Sequence, residues 1–91
     1  MIYEWDAGKA AINLKKHGID FTEAATVFLD PLAITYQYPD HSEGEQRYIT
    51  AGESSRGRVI LVSHLDRDDR IRIISARKAT RKEAHAYRET S

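Results

Sequence analysis

Two groups of side chains in the second half of the chain have types and spacing suited to phosphate chemistry. The first is His64 with Arg47 and Glu45. Histidine exchanges a proton near neutral pH, and arginine presents a planar fork that matches phosphate oxygens. Glu45, two residues from Arg47, is placed to orient either one. The second group is Arg72 and Arg77 in IRIISARKATRKE. An arginine that interrupts an apolar strand needs a partner or an anion. These five residues together suit phosphodiester cleavage. A base would remove the proton of a 2′-hydroxyl, and cations would stabilise the charged phosphorane. Tyr48, Arg58 and Lys78 are candidate substrate contacts, with Tyr48 able to stack on a base. The bland alternatives are a strand-end histidine held by a carboxylate with Arg47 and Glu45 as a surface ion pair, and an Arg72 that pairs with Asp66, Asp68 or Glu43 and only holds the hairpin together.

Charge distribution favours an anionic ligand. Fourteen basic and fourteen acidic residues cancel. From Arg56 to Arg88, however, ten bases face four acids, so this stretch carries +6 and the remainder −6. That asymmetry fits a phosphate-binding surface on a neutral body. With no cysteine in the chain, disulfides, thiolate zinc sites and cysteine nucleophiles are excluded. His41 and His85 lack companions at metal-ligand spacing, and no glycine-rich phosphate loop precedes a helix. The expectation is therefore a site without metal or cofactor. No apolar run approaches the ~18 residues of a membrane span, and MIYEWDAGKA does not read as a signal peptide. A cytoplasmic protein without membrane contact is expected.

The elements that must position these residues follow from periodicity. Ile2–Trp5 reads as a strand. Asp6 caps a helix over 7–17, which Gly18 stops. Asp20 and Glu23 have capping-box spacing for a second helix, ended by Asp30-Pro31. Residues 32–38, 46–53, 58–65 and 70–76 read as strands, and Thr80 with Glu83 caps a last helix. Lys9, Asn13, Lys16 and His17 fall on one side of the first helix and read as a solvated face. Trp5 and Phe21 read as core. The prediction is one α+β domain over 1–91, in the order β-α-α-β-β-β-β-α. Its antiparallel sheet would be packed by two N-terminal helices and a C-terminal helix. With two four-residue connections, Glu53 pairs with Arg58 and Leu65 with Arg70. Arg47 then lies opposite His64, and Tyr48, Ser63 and Arg72 share a row on the other face. A bulge would exchange these faces.

The segments EWDAGKAAINLKKHGIDFTEAATVFLDP, EGEQRYITAGESSRGRVILVSHL and RIRIISARKATRKEAHAY resemble the BrnT toxins, a DUF497-type family, from Tyr3 to Tyr87. The resemblance implies a RelE-like fold and a ribonuclease toxin of a bacterial type II toxin–antitoxin system that stops translation. It also implies a partner, a BrnA-like antitoxin that neutralises the toxin in a hetero-oligomer. The antitoxin's DNA-binding domain would carry the complex to operator DNA. In RelE-like enzymes basic residues bear most of the catalytic burden, which suits Arg47, Arg72 and Arg77. The expected activity is metal-independent endoribonuclease cleavage of RNA. The competing expectation is a non-catalytic module that serves as corepressor with its antitoxin.

Overall fold

The computed structural model describes residues 1–37 and 46–90. The expected polar loop at 39–44 and Glu45 lie outside them. Strand β1 (Ile2–Glu4) leads into α1 (Ala7–His17) and α2 (Phe21–Thr26), which tightens into a 3₁₀ turn over Val27–Leu29. Four strands follow: β2 (Ile34–Gln37), β3 (Arg47–Glu53), β4 (Val59–Arg67) and β5 (Arg70–Lys78). Helix α3 (Arg81–Thr90) closes the described chain. The sheet order is β1-β5-β4-β3-β2. This is the α+β arrangement expected, with one correction: β1 joins β5 in parallel, while every other pairing is antiparallel.

Local chemistry explains the helix ends. Asp6 accepts a hydrogen bond from the Lys9 N–H at 2.9 Å, satisfying one of the orphan donors of α1. Gly18 adopts φ 71°, the left-handed geometry of a helix stop. Thr80 and Glu83 form the full reciprocal box: the Glu83 N–H reaches Thr80 Oγ1 at 3.1 Å, and the Thr80 N–H reaches Glu83 Oε1 at 2.8 Å. The box at α2 is half-formed. Asp20 caps the Glu23 N–H at 2.7 Å, but the Glu23 carboxylate turns to Ser54 and Arg58 instead.

Helices α1 and α2 cover one face of the sheet. Ile19, Phe21, Ala24 and Val27 meet Ile60, Val62, Ile71, Ile73 and Ala76 there, all buried. Burying each large aliphatic side chain stabilises the fold by about 1.5–3 kcal/mol. Phe21 belongs to this core as expected, whereas Trp5 rests edge-on against it, 36% exposed. Asn13, expected on a solvated face, is buried. Its amide donates to the carbonyls of Ile19 and Ala76, and its oxygen accepts from the Ala76 N–H at 3.0 Å. β1 pairs only with residues 70–72 of β5. Beyond that point Asn13 replaces the missing strand for Ala76 and satisfies both of its backbone groups.

Gly52 marks where the 3₁₀ turn presses onto β3. A Cβ at this position would stand 2.8 Å from Val27 Cγ1 and 3.1 Å from Ala33 Cβ. Gly52→Ala should therefore cost about 1–3 kcal/mol through overpacking. A domain of this size loses roughly 4–8 °C of Tm per kcal/mol, so a thermal melt unchanged from the parent would contradict this packing.

Candidate active site

Arg72 and Arg77 are five residues apart, and in a regular strand an odd spacing sends two side chains to opposite faces. A bulge changes that. Ser63 pairs with Ser75, but the next residue, His64, pairs with Ile73, leaving Ile74 as the extra residue of β5. Arg72 then lies opposite Leu65, Ser75 opposite Ser63 and Arg77 opposite Leu61. All three occupy the face turned away from α1 and α2. Arg47, opposite Leu65, joins them from β3, with Ile49 beside Ser63 and Ala51 beside Leu61.

Strand spacing sets the scale of this surface. Arg72 and Arg77 stand about 13 Å apart along the sheet, at ~3.3 Å per residue. Arg47 lies two strands from Arg72, about 10 Å across. Three arginines so placed suit successive phosphates of one strand rather than a single phosphate. Arg72 is half-buried, and among the described residues it has no hydrogen-bond or ion-pair partner. Arg77 is held by Glu83, with Nη1–Oε1 at 2.8 Å and Nη2–Oε2 at 2.9 Å. The Arg77 fork and the Thr80 N–H hold the Glu83 carboxyl down at about 2. Beside Arg77 opens a cleft of about 420 Å³, lined by His17, Ile49, Leu61, Ser63, Ser75, Ala76 and Arg77.

The fold and this cationic face can be set beside known proteins. The model of a family described as the ribonuclease toxin BrnT of type II toxin–antitoxin systems matches residues 5–83. The chain belongs to the BrnT family. The solved ribonuclease toxin BrnT of Brucella abortus is 25% identical and superposes with a TM-score of 0.66, over 89% of this chain and 100% of that one. No curated protein matches the sequence.

Within this BrnT fold the other expected site residues scatter. The anticipated register is one residue off: Glu53 pairs with Val59, so Tyr48 lies opposite His64 and Arg47 opposite Leu65. The second connection is a two-residue turn, Asp68-Asp69, with Arg67 opposite Arg70. Asp68 takes the positive φ of 52° that this tight turn requires. Arg47 and His64 are therefore on opposite faces, which corrects their expected adjacency. Arg72 pairs with neither Asp66 nor Asp68 among the bonds described.

His64 lies in the helix-covered core at 2% exposure. Its Nδ1 is 2.7 Å from Asp66 Oδ1 and its Nε2 is 2.7 Å from Thr50 Oγ1. The Phe28 ring meets it edge-on at 4.9 Å, and the Tyr48 ring stacks at 5.9 Å. With both ring nitrogens engaged and no open side, His64 is built as a core cross-link. Tyr48 sits on this same face, its hydroxyl donating to Gln46 Oε1 at 3.2 Å. Arg58 also belongs to the scaffold. Its Nε and Nη2 grip Glu23 at 2.8 and 2.7 Å, and Nη2 donates to the Gly18 carbonyl at 3.2 Å. Lys78, opposite Ile60, points to the face away from Arg77. That His17 lines this cleft was not readable from the sequence, because the path of α1 along the free edge of β5 is a tertiary fact.

Two buried groups make stability depend on pH. Burial holds His64 below its ordinary value of 6.5, although Asp66 pulls upward. The neutral ring is the folded form, so its contribution is complete above pH 6.5 and declines as pH falls through that value. Hydrogen bonds from Arg58 hold the Glu23 carboxyl below its ordinary 4.5, despite burial. Its contribution is present above that value and is lost in more acid solution. Urea melts should show the parent weakening between pH 7 and pH 5, a slope that His64→Gln largely removes. An equal slope in the variant would exclude His64 as its source.

Proposed function

We propose that the chain is a metal-independent endoribonuclease whose cleavage of RNA arrests translation. Membership of a ribonuclease toxin family sets the reaction class. The single observation that carries the site is the β5 bulge, which gathers Arg72 and Arg77 beside Arg47 on one face. Arg72 has no partner among the described residues and its guanidinium stays within reach of solvent, so its planar fork is open to phosphate oxygens. Arg72 would take a phosphate directly. Arg77, its fork fixed by Glu83, would offer its remaining N–H groups to the scissile phosphate, where negative charge grows in the transition state. Attack by the 2′-hydroxyl would leave a 2′,3′-cyclic phosphate and a 5′-hydroxyl. His64, expected to act as acid or base, is assigned a supporting role on account of its burial.

Removal of one transition-state donor typically costs ~10²–10³ in rate. Arg72→Ala and Arg77→Ala should each lower cleavage of single-stranded RNA on that scale and relieve growth arrest, with little change in Tm for Arg72→Ala. EDTA should leave the parent's activity intact. Complete loss in EDTA, restored by magnesium, would refute the metal-independent reaction.

The partner we propose is a BrnA-like antitoxin, for a toxin is tolerated only while its active surface is blocked. An arginine-lined face suits acidic or aromatic side chains. The toxin carries a formal charge of zero, and affinity for DNA rests on neutralising phosphates. Operator binding should therefore depend on the antitoxin. Gel shifts with toxin, antitoxin and the mixture should show strong retardation only when antitoxin is present; equal retardation by toxin alone would contradict the scheme.

A further inference from the structure

His17 ends α1 at the junction of two hollows. One is the 420 Å³ cleft beside Arg77, floored by Ser63 and Ser75. The other, about 200 Å³, runs along α1 and is lined by Lys9, Ile12, Asn13, Lys16, His17, Ile74 and Ser75. His17 and Ser75 belong to both. A continuous track therefore leads from Arg77, past one imidazole, to two lysines. Among the described residues the His17 ring and the Ser63 and Ser75 hydroxyls have no side-chain hydrogen-bond partner. His17 is only partly buried, unlike the enclosed His64. The cleft wall thus brings an unoccupied imidazole beside an arginine whose fork is already fixed.

We propose that His17 is the proton-transfer residue of this cleft, accepting the 2′-hydroxyl proton of an RNA strand laid along the track. This rests on the ribonuclease reading above. In the step, the 2′-oxygen gives its proton to the imidazole and bonds to phosphorus. The bond from phosphorus to the 5′-oxygen breaks, and that oxygen takes a proton from water. The imidazolium then returns its proton to solvent. Ser63 and Ser75 line the floor where the ribose would rest, and Lys9 and Lys16 face the flanking phosphates.

The test uses the full chain and a single-stranded oligoribonucleotide, with an all-deoxy strand as control. General acid–base catalysis contributes about 10²–10⁴ in rate. His17→Gln and His17→Ala should lose cleavage on that scale while Tm and RNA affinity stay near those of the parent. Added imidazole should restore part of the His17→Ala rate, a rescue that a structural role would not give. Cleavage by His17→Gln within about threefold of the parent, far short of an acid–base contribution, overturns the inference alone. Loss matched by a fall in Tm, without imidazole rescue, also overturns it. A parent that cuts neither RNA nor the control overturns the ribonuclease reading itself.

Discussion

One extra residue in β5 governs the distribution of charge over this molecule. Without Ile74 as a bulge, residues 71, 73, 75 and 77 would share a face, and Arg77 would be driven toward the helix-covered core. With it, Ile71, Ile73 and Ala76 all reach the core, while Arg72, Ser75 and Arg77 all face outward. The apolar and the cationic patterns of one strand are each out of step with a period of two, and a single shift corrects both. Bulges recur where a strand must re-aim a side chain. Here it aims the two arginines.

The price of so small a core is met by buried polar cross-links between distant segments. Asn13 ties α1 to β5, Glu23 ties α2 to Ser54 and Arg58, and His64 links β4 to Thr50 of β3. Asp30 does the same for α3: it accepts from the Glu53 N–H at 2.8 Å and from the Tyr87 hydroxyl. Burial raises the Asp30 carboxyl, but these hydrogen bonds outweigh it and hold the group below its ordinary value. No buried side-chain polar atom among the described residues lacks a partner. Each such bond is worth modest net stability, but an orphaned partner is costly. The network therefore penalises alternative packings more than it strengthens the native one.

Element order was legible in the sequence because it rests on local signals. Asp6, Gly18, Asp20 and the Thr80–Glu83 pair punctuate the helices with chemistry that acts within four residues. The arginines stood out as candidate phosphate ligands by residue type. What was not legible depended on register. A pairing one residue off moved His64 from the supposed cleft into the core, and the tight Asp68-Asp69 turn was hidden in an acidic run that also reads as a longer loop. His64 itself looked catalytic because histidine carries no sign of whether its ring will be enclosed. His17 looked solvated because its neighbours are Lys15 and Lys16, and nothing local states that the helix end will meet Ser75.

Glu83 joins the stability of α3 to the charge of the cationic face. One carboxylate oxygen serves both the Thr80 N–H and Arg77 Nη1, and the other serves Arg77 Nη2. The helix start that sets α3 beside Ile34, Ala51 and Leu61 is thereby the same structure that orients the arginine. With its carboxyl held at about 2, Glu83 stays ionised at any pH the protein would meet in a cell. The pair is then not a proton switch. An approaching phosphate must share Arg77 with a permanent anion, which weakens ground-state attraction but leaves the fork rigid. Charge that appears only as the phosphorane forms gains most from a donor already fixed in place. A carboxylate beside Arg77 is thus compatible with a catalytic arginine, and Arg72, without such a partner, is better suited to hold the strand.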